Sequence, residues 1–369
     1  MRLDGARGRS AIARGVELAR CAAPTIRGRS AYTVLGFAGY GIASSVVGVV
    51  AALLDLSLAE RLVIVFGPPF AFLVTVMLAT RRAGYERIVF YEVTSAAFAL
   101  TGAVAACAGV RVGSVLDLVA VGIGYFLVFG RLGCFRVACC YGRPVRTRLG
   151  VRYWHAHVAV GFPELWRGRA ILPVQLVEAA ATLVLATVAM VLAFGDAGDG
   201  AAAYVVGYSV VRFSLEPLRG DRDRRYRRGL SEAQQMAVLS AATAAMLHPR
   251  AWTIAGAVLI ALAVAVVVAT HRGAAAQLLC APHIHEVGDR HARMSRGHCE
   301  VTSAGLSISL HTLPDGRTDF VWSREAGLPE RVARRLATLV DPEADVILGR
   351  IPNLVHVVSA PGPHLVQDA

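Results

Sequence analysis

The chain contains no lysine; all 38 of its basic residues are arginine. Charge of either sign is sparse, at 17% of 369 residues, where an ordinary soluble domain carries about 25%. The deficit is not uniform. Residues 31–54, 62–80 and 251–270 hold no charged residue at all. That excludes a single water-soluble globule, because runs of roughly 20 uncharged apolar residues are what a bilayer span requires. No secretory signal is evident, and a lipoprotein signal at Cys21 is not expected. Residues 1–30 are arginine-rich and have no apolar core ahead of Cys21. The seven cysteines are an odd number, so complete pairing within the chain is excluded.

What is present is hydrophobic. Apolar residues make up 55% of the chain, and mean hydropathy is +0.53. Five weaker apolar segments, 88–110, 112–130, 170–195, 200–217 and 230–247, join the three uncharged runs. Together they predict an all-α polytopic membrane protein with seven or eight transmembrane helices. Three regions are expected: a basic N-terminal arm (1–30), a transmembrane domain (31–270) with a polar insert at 131–169, and a soluble C-terminal α/β domain (271–369). The α/β character is read from alternation around 305–312, a helical pattern at 329–340 and β-type runs at 345–348 and 354–358.

A net charge of +12 invites a nucleic-acid reading. In a chain with spans it marks loops that meet anionic headgroups instead, and no nucleic-acid partner is expected. Seven arginines fall in 1–30, three in 81–87, eight in 131–169 and six in 218–229. The alternate loops are poor in them, so the positive-inside rule puts the N-terminus, the insert and loop 218–229 in the cytoplasm.

Three constellations carry candidate chemistry. GRLGCFRVACCYGRP, residues 130–144, combines Arg131, Arg136 and Arg143 with Cys134, Cys139 and Cys140, where a hydrophobic segment meets the polar insert. Arginine is the bidentate partner for a lipid phosphate at that depth; the alternative is snorkelling to the interface. The cysteines are open to three readings: a disulfide, a metal site, or small thiols filling packing space. The C-x4-C-C spacing matches no recognised zinc pattern, and no metal or cofactor is assigned. LPVQLVEA, residues 172–179, places Gln175 and Glu178 on one helical face, as a polar site or as structural glue between helices. VVRFSLEPLRGD, residues 210–221, aligns Arg212, Glu216 and Arg219 on one face, with Arg212 and Glu216 able to pair. Glu92 and Asp117 are weaker candidates of the same kind. A fourth stretch, residues 280–300, crowds Cys280, His283, His285, His291, His298 and Cys299 together. It reads as a solvated juxtamembrane linker in preference to a metal site.

In this order the three constellations resemble the prolipoprotein diacylglyceryl transferase family. The family signature G-R-x-G-N-F-x-N-x-E-x-x-G is similar to GRLGCFRVACCYG, with Gly130, Arg131, Gly133, Phe135 and Gly142 matching. Its H-P-x-Q-x-x-E stretch resembles LPVQLVE, matching at Pro173, Gln175 and Glu178. Its R-F-x-x-E-x-x-R helix resembles RFSLEPLR, with Arg212, Phe213, Glu216 and Arg219 in place. The sequence departs from the family where Cys134, Val137 and Cys139 replace two asparagines and a glutamate. Leu172 replaces a histidine, and the family's upstream histidine-glycine-glycine stretch has no counterpart in residues 92–109.

The resemblance implies transfer of a diacylglyceryl group from phosphatidylglycerol, or another anionic phospholipid, to the lipobox thiol in a prolipoprotein signal region. It implies Arg131, Arg212, Arg219 and Glu216 as catalytic residues, and Arg143, Gln175, Glu178, Gly142, Cys134 and Cys139 as substrate-binding ones. His155 and His157 are candidates to stand in for the missing proton-transfer residues. Arg131, Arg212, Glu216, Arg219, Gln175 and Glu178 are expected to converge on one lateral cavity near a membrane face. The alternatives are a divergent lipid-headgroup transferase and a non-catalytic anionic-lipid binder on the same scaffold. The location implied is a bacterial plasma membrane, with the insert on its outer face; this opposes the charge bias, and the family chemistry is followed.

Overall fold

The structure, a computed structural model, describes residues 23–84, 89–145, 150–227, 229–270, 274–295 and 297–359. Most of the N-terminal arm therefore lies outside the described residues. The chain forms two compact units. The first comprises residues up to Phe162, Gly168–Arg219 and Ser231–Val264. The second comprises Pro163–Arg167, Gly220–Leu230 and the chain from Ala265 onward.

The first unit is built from long helices: α1 (Ala31–Leu53), α2 (Leu58–Ala83), α3 (Phe90–Cys107), α4 (Val112–Val137), α5 (Val174–Leu192), α6 (Asp199–Leu215), α7 (Glu232–Leu247) and α8 (Ala251–Thr270). Among the described residues six of them, α1 to α5 and α8, are long and apolar enough to cross a membrane. The helices α6 and α7, with 17 and 16 residues, fall short of that length. Phe37, Val49, Phe66, Leu73, Val184, Val191, Leu262 and Val266 stand exposed on the outer faces, as side chains against lipid do.

The helix α4 is the hub. It packs against α1, α2, α3, α5 and α6, and half of its apolar stretch is buried against 11% for α2 and α8. Gly124 makes the close approach possible: a Cβ there would sit 2.6 Å from the Ala186 Cβ and 2.9 Å from the Tyr204 ring. Small residues at such crossings let backbones meet where lipid supplies no hydrophobic drive. The helix also runs two turns beyond Gly130, where the apolar pattern alone ends the span. Arg131 to Val137 are therefore helical rather than part of a loop.

Polar capping anchors the ends. Ser57 and Glu60 form a capping box on α2, and Glu60 pairs with Arg111 at 2.7 Å. Asp117 of α4 accepts from the amides of Gly198 (2.8 Å) and Ala201 (2.7 Å). It supplies the cap that α6 lacks in its own sequence. Asp117, a weak candidate in the sequence, thus has a structural partner set. At that end Arg250 meets Asp196 at 2.5 Å and His248 meets Asp199.

The second unit carries a five-stranded antiparallel sheet of β1 (Cys299–Val301), β2 (Ser307–Thr312), β3 (Thr318–Ser323), β4 (Asp345–Leu348) and β5 (Leu354–Ser359), in the order β4-β5-β3-β2-β1. Cross-strand rows Ile308–Trp322–Val355 and Leu310–Phe320–Val357 form its buried face. Two helices, α9 (Ala281–Arg293) and α10 (Glu330–Val340), bury Ile284, Val287, Leu336 and Val340. Each such side chain contributes about 1.5–3 kcal/mol by burial.

The linker reading of residues 280–300 is corrected by this helix. His283 meets the Leu278 carbonyl at 2.8 Å and the Thr302 hydroxyl at 2.9 Å. His285 meets the Gly220 carbonyl at 2.8 Å. His291 stacks on Phe320 with centroids 3.6 Å apart, and its Nε2 accepts from Trp322 Nε1 at 3.1 Å. The histidines alternate with Ile284 and Val287 along an amphipathic helix, a period hidden by their polarity. Segments 163–167 and 220–230 belong to the same unit. Trp166 is fully buried, donates to the Leu339 carbonyl at 3.1 Å and packs on the His285 ring.

Burial holds the pKa of His283 and His285 below the usual histidine value, and that of His291 at about 3. Protons bind the unfolded chain first, so stability is full above pH 6.5 and is lost as pH falls toward 3. For His291 the slope is at most about 1.4 kcal/mol per pH unit. Hydrogen exchange of the β3 amides in the full-length protein should accelerate across this window. His291→Phe, which keeps the stack, should flatten the dependence; an unchanged profile would assign the acid sensitivity elsewhere.

Candidate functional site

Arg131, Glu178, Arg212, Glu216 and Arg219, drawn from all three constellations, meet inside the first unit. Arg131 of α4 places Nη2 2.9 Å from Glu178 Oε1 of α5. Arg219, just past α6, places Nη1 3.6 Å from the other oxygen, Glu178 Oε2. Tyr208 of α6 donates to Glu178 Oε1 at 2.8 Å. Arg212 and Glu216 pair at 2.7 Å one turn apart, and Arg212 lies within electrostatic reach of Glu178. Arg131, Gln175, Glu178, Arg212, Glu216 and Arg219 are each 8% exposed or less, so they meet as a packed cluster. Three guanidiniums against two carboxylates leave one positive charge in excess. The Nε of Arg131 is buried with no hydrogen-bond partner among the described residues. A buried donor of that kind is a place where a ligand oxygen would be stabilised.

Backbone pairing explains why the constellations converge. After α4 the chain runs through Gly142 and Arg143 between the other two motifs. Gly142 bridges to Arg219, Arg143 N–H donates to the Leu218 carbonyl at 2.9 Å, and Leu172 N–H donates to the Arg143 carbonyl at 3.0 Å. Arg143 Nε also donates to the Arg219 carbonyl at 3.1 Å. The approach is so close that a Cβ on Gly142 would collide with the Leu172 carbonyl oxygen. Gly142 is therefore a junction residue and Arg143 a strap across it.

The cysteines form a second group beside the first. The α4 helix ends with Ala138 at φ 56°, its N–H bonded to the Cys134 carbonyl. Cys140 follows at φ 53°. Left-handed conformations cost a non-glycine residue about 1–2 kcal/mol each, and this double turn folds the chain back on the helix end. It brings the sulfurs of Cys134, Cys139 and Cys140 within 4.8 Å of one another. All three thiols are free of disulfides. Hydrogen bonds from Cys134 and Cys139, helped by Arg219 and Arg131, hold the Cys140 thiol well below its ordinary pKa. Gln175 donates to the Cys139 carbonyl at 2.9 Å, so it fixes this turn. Sequence analysis grouped these cysteines but left their arrangement open between a disulfide, a metal site and packing, because spacing says nothing of a turn built from non-glycine residues.

Other candidates stand apart from the cluster or serve the scaffold. His157 is buried, accepts from the Trp154 N–H at 3.3 Å and packs on the Tyr153 ring. Arg136 bonds the Ala23 carbonyl at 3.1 Å. Sequence reasoning missed Tyr208, whose hydroxyl joins Glu178; its place four residues before Arg212 on one helical face was the available signal.

The chain matches the family model described as prolipoprotein diacylglyceryl transferase over residues 70–250. It is also 32% identical, over 108 residues, to a protein of Clostridium tetani (strain Massachusetts / E88) named phosphatidylglycerol–prolipoprotein diacylglyceryl transferase. That match covers 29% of this chain and 41% of the relative's length. Residues 70–250, matched by the family model, contain every residue of the buried arginine–glutamate cluster and all three clustered cysteines. Through residues 70–250 the chain belongs to the prolipoprotein diacylglyceryl transferase family.

Proposed function

We propose that the first unit transfers a diacylglyceryl group from phosphatidylglycerol to the lipobox thiol of a prolipoprotein, at a bacterial plasma membrane. The observation that carries this reading is the buried cluster with three arginines and two glutamates. A phosphodiester brings one negative charge, which the excess guanidinium meets. As the carbon–oxygen bond breaks, glycerol phosphate gains a second charge, and fixed donors in a dry site stabilise it most. In this reading Arg131, Arg212 and Arg219 hold the phosphate and Glu216 fixes Arg212. Glu178 aligns Arg131 and Arg219, while Gly142 and Arg143 keep the three motifs in register.

Purified protein, phosphatidylglycerol vesicles and a synthetic lipobox peptide form the test. Expected are a diacylglyceryl mass gain on the peptide cysteine and stoichiometric glycerol phosphate. A peptide that stays unmodified would sink the reading. The substitutions at Cys134, Val137 and Cys139 favour a second one, a binder of anionic lipid without turnover. It predicts saturable phosphatidylglycerol binding with no glycerol phosphate released.

We also infer eight crossings, with α6 and α7 spanning a locally thinned bilayer. The contacts between the loops after α5 and α7, between Ala23 and the end of α4, and between the ends of α4 and α6 support an even count. With eight, residues 131–169 and 218–229 share one face, taken as the outer one. Impermeant thiol labelling checks this. Cys107 and Cys299, both exposed, should react from opposite faces. A cysteine placed at the exposed Val160 by Val160→Cys should be labelled from the face opposite to Cys107. The buried His157 is a poor site for such a probe. Labelling of Cys107 and Cys299 from one face would overturn the count.

A further inference from the structure

The three-cysteine cluster includes two of the positions at which this chain departs from the family signature. Two of its members, Cys134 and Cys139, stand where the signature has asparagine and glutamate. Polar groups suited to handling a proton are thus replaced by soft sulfur donors, and the third donor comes from the adjacent Cys140. Chance packing of small thiols does not require two left-handed non-glycine residues within three positions. Here Ala138 and Cys140 both adopt that conformation, and Gln175 secures the Cys139 carbonyl between them. The result is a convergent set of three sulfurs within 4.8 Å. Sulfurs bound to one zinc at about 2.3 Å lie roughly 3.8 Å apart in a tetrahedron, so little closure is needed. Cys134 is buried, while Cys139 and Cys140 are of intermediate exposure as residues, and three protein ligands leave the fourth corner of a tetrahedron for water or substrate. Three protein ligands and an open position are the pattern of a reactive zinc site rather than of a structural one. Gln175 of the arginine cluster bonds the turn that carries the trio, and the excess positive charge of that cluster offsets the net negative charge of a tris-thiolate zinc centre.

We propose that Cys134, Cys139 and Cys140 bind one Zn²⁺ ion as thiolates and present its fourth position to the acceptor thiol. The role of the site in transfer rests on the proposed transferase reading; metal binding itself does not. The acceptor thiol displaces a water from the metal and releases its proton to solvent. The zinc-bound sulfur then forms a bond to the glyceryl carbon of the lipid. The carbon–oxygen bond to phosphate breaks, and its electron pair leaves with glycerol phosphate. The thioether product, a poor ligand for zinc, yields its place to water. The centre thereby supplies a thiolate nucleophile without the histidine that the family motif carries and this chain lacks.

The test uses the full-length protein in detergent, reduced and loaded with Zn²⁺ or Co²⁺ alone. Expected are one zinc per chain by elemental analysis and a near-ultraviolet thiolate-to-cobalt charge-transfer band. Both should be lost in Cys134→Ser, Cys139→Ser and Cys140→Ser. Both should persist in Cys107→Ser and in Cys280→Ser/Cys299→Ser, which removes the sulfurs of the histidine-rich stretch. Thermal melting of the metal-free serine variants, expected to match metal-free wild type, separates lost ligation from lost folding. Chelation should stop transfer to the lipobox peptide, and zinc should restore it. Absence of stoichiometric metal, a cobalt band that survives the serine variants, or a disulfide within the trio with no metal uptake after reduction would each overturn the site. Undiminished transfer by the chelated protein would overturn its catalytic role while leaving the transferase reading intact. Zinc bound by the trio with no lipid turnover would do the reverse.

Discussion

Replacing Arg131 with alanine is expected to slow diacylglyceryl transfer by about 10²–10³-fold, the usual loss when one fixed donor to a developing anion is removed. The same change breaks the 2.9 Å pair with Glu178. Breaking a buried pair typically costs about 3–5 kcal/mol. Glu178 keeps the Tyr208 hydroxyl at 2.8 Å and Arg219 at 3.6 Å, so the variant should still fold, with a lower melting temperature. Arg131→Lys separates charge from geometry: an ammonium keeps the charge but lacks the planar fork. It should recover stability more than rate. Arg334→Ala, which breaks an exposed pair with Glu330, should change neither by much. Transfer kinetics and melting curves on the same preparations check all three. An Arg131→Ala enzyme with wild-type turnover would remove the arginine cluster from the mechanism.

The second large effect is expected from a single methyl group. Gly142→Ala places a Cβ against the Leu172 carbonyl and 3.0 Å from Val174, at the point where the three motifs are stitched together. Overpacking of this kind costs about 1–3 kcal/mol. The larger consequence is displacement of Arg219 and the cysteine turn, since misplacement by about 1 Å can cost 10²-fold in rate. Gly130→Ala is the matched control. It is also a signature glycine, but open space surrounds it, and alanine favours a helix by about 1 kcal/mol. The pair should diverge: activity collapses for one and is kept by the other. Equal behaviour would show that the junction tolerates movement.

The membrane class and the residues of the arginine–glutamate cluster were legible because both are written in local pattern. Uncharged runs mark spans, and Arg212, Glu216 and Arg219 align by helical spacing alone. The convergence of Arg131 and Arg219 on Glu178 was expected only through the family resemblance, and Tyr208, which comes from another helix and lies outside the three motifs, was not foreseen. The helix Ala281–Arg293 was hidden because histidines look polar, while His283 and His285 are buried here with specific acceptors. The sulfur cluster was hidden for a different reason. It depends on backbone conformations at Ala138 and Cys140 that neither residue prefers, and no composition rule foretells a strained turn.

The makeup of the second unit sets a timetable for biosynthesis. Trp166 bonds to a carbonyl 173 residues later, and the segment 220–230 waits in the same way for Ala281–Arg293. Both loops emerge from the ribosome long before their partners exist. During that interval a large indole and a run of arginines stay without their final environment, the kind of transient exposure that favours misassembly or chaperone capture. The last strand, Leu354–Ser359, pairs with β3 near the middle of the sheet's order rather than at its rim. The sheet therefore cannot close from its N-terminal side alone. A premature stop before residue 281 would leave not just a missing tail but two unfinished loops upstream, at 163–167 and 220–230.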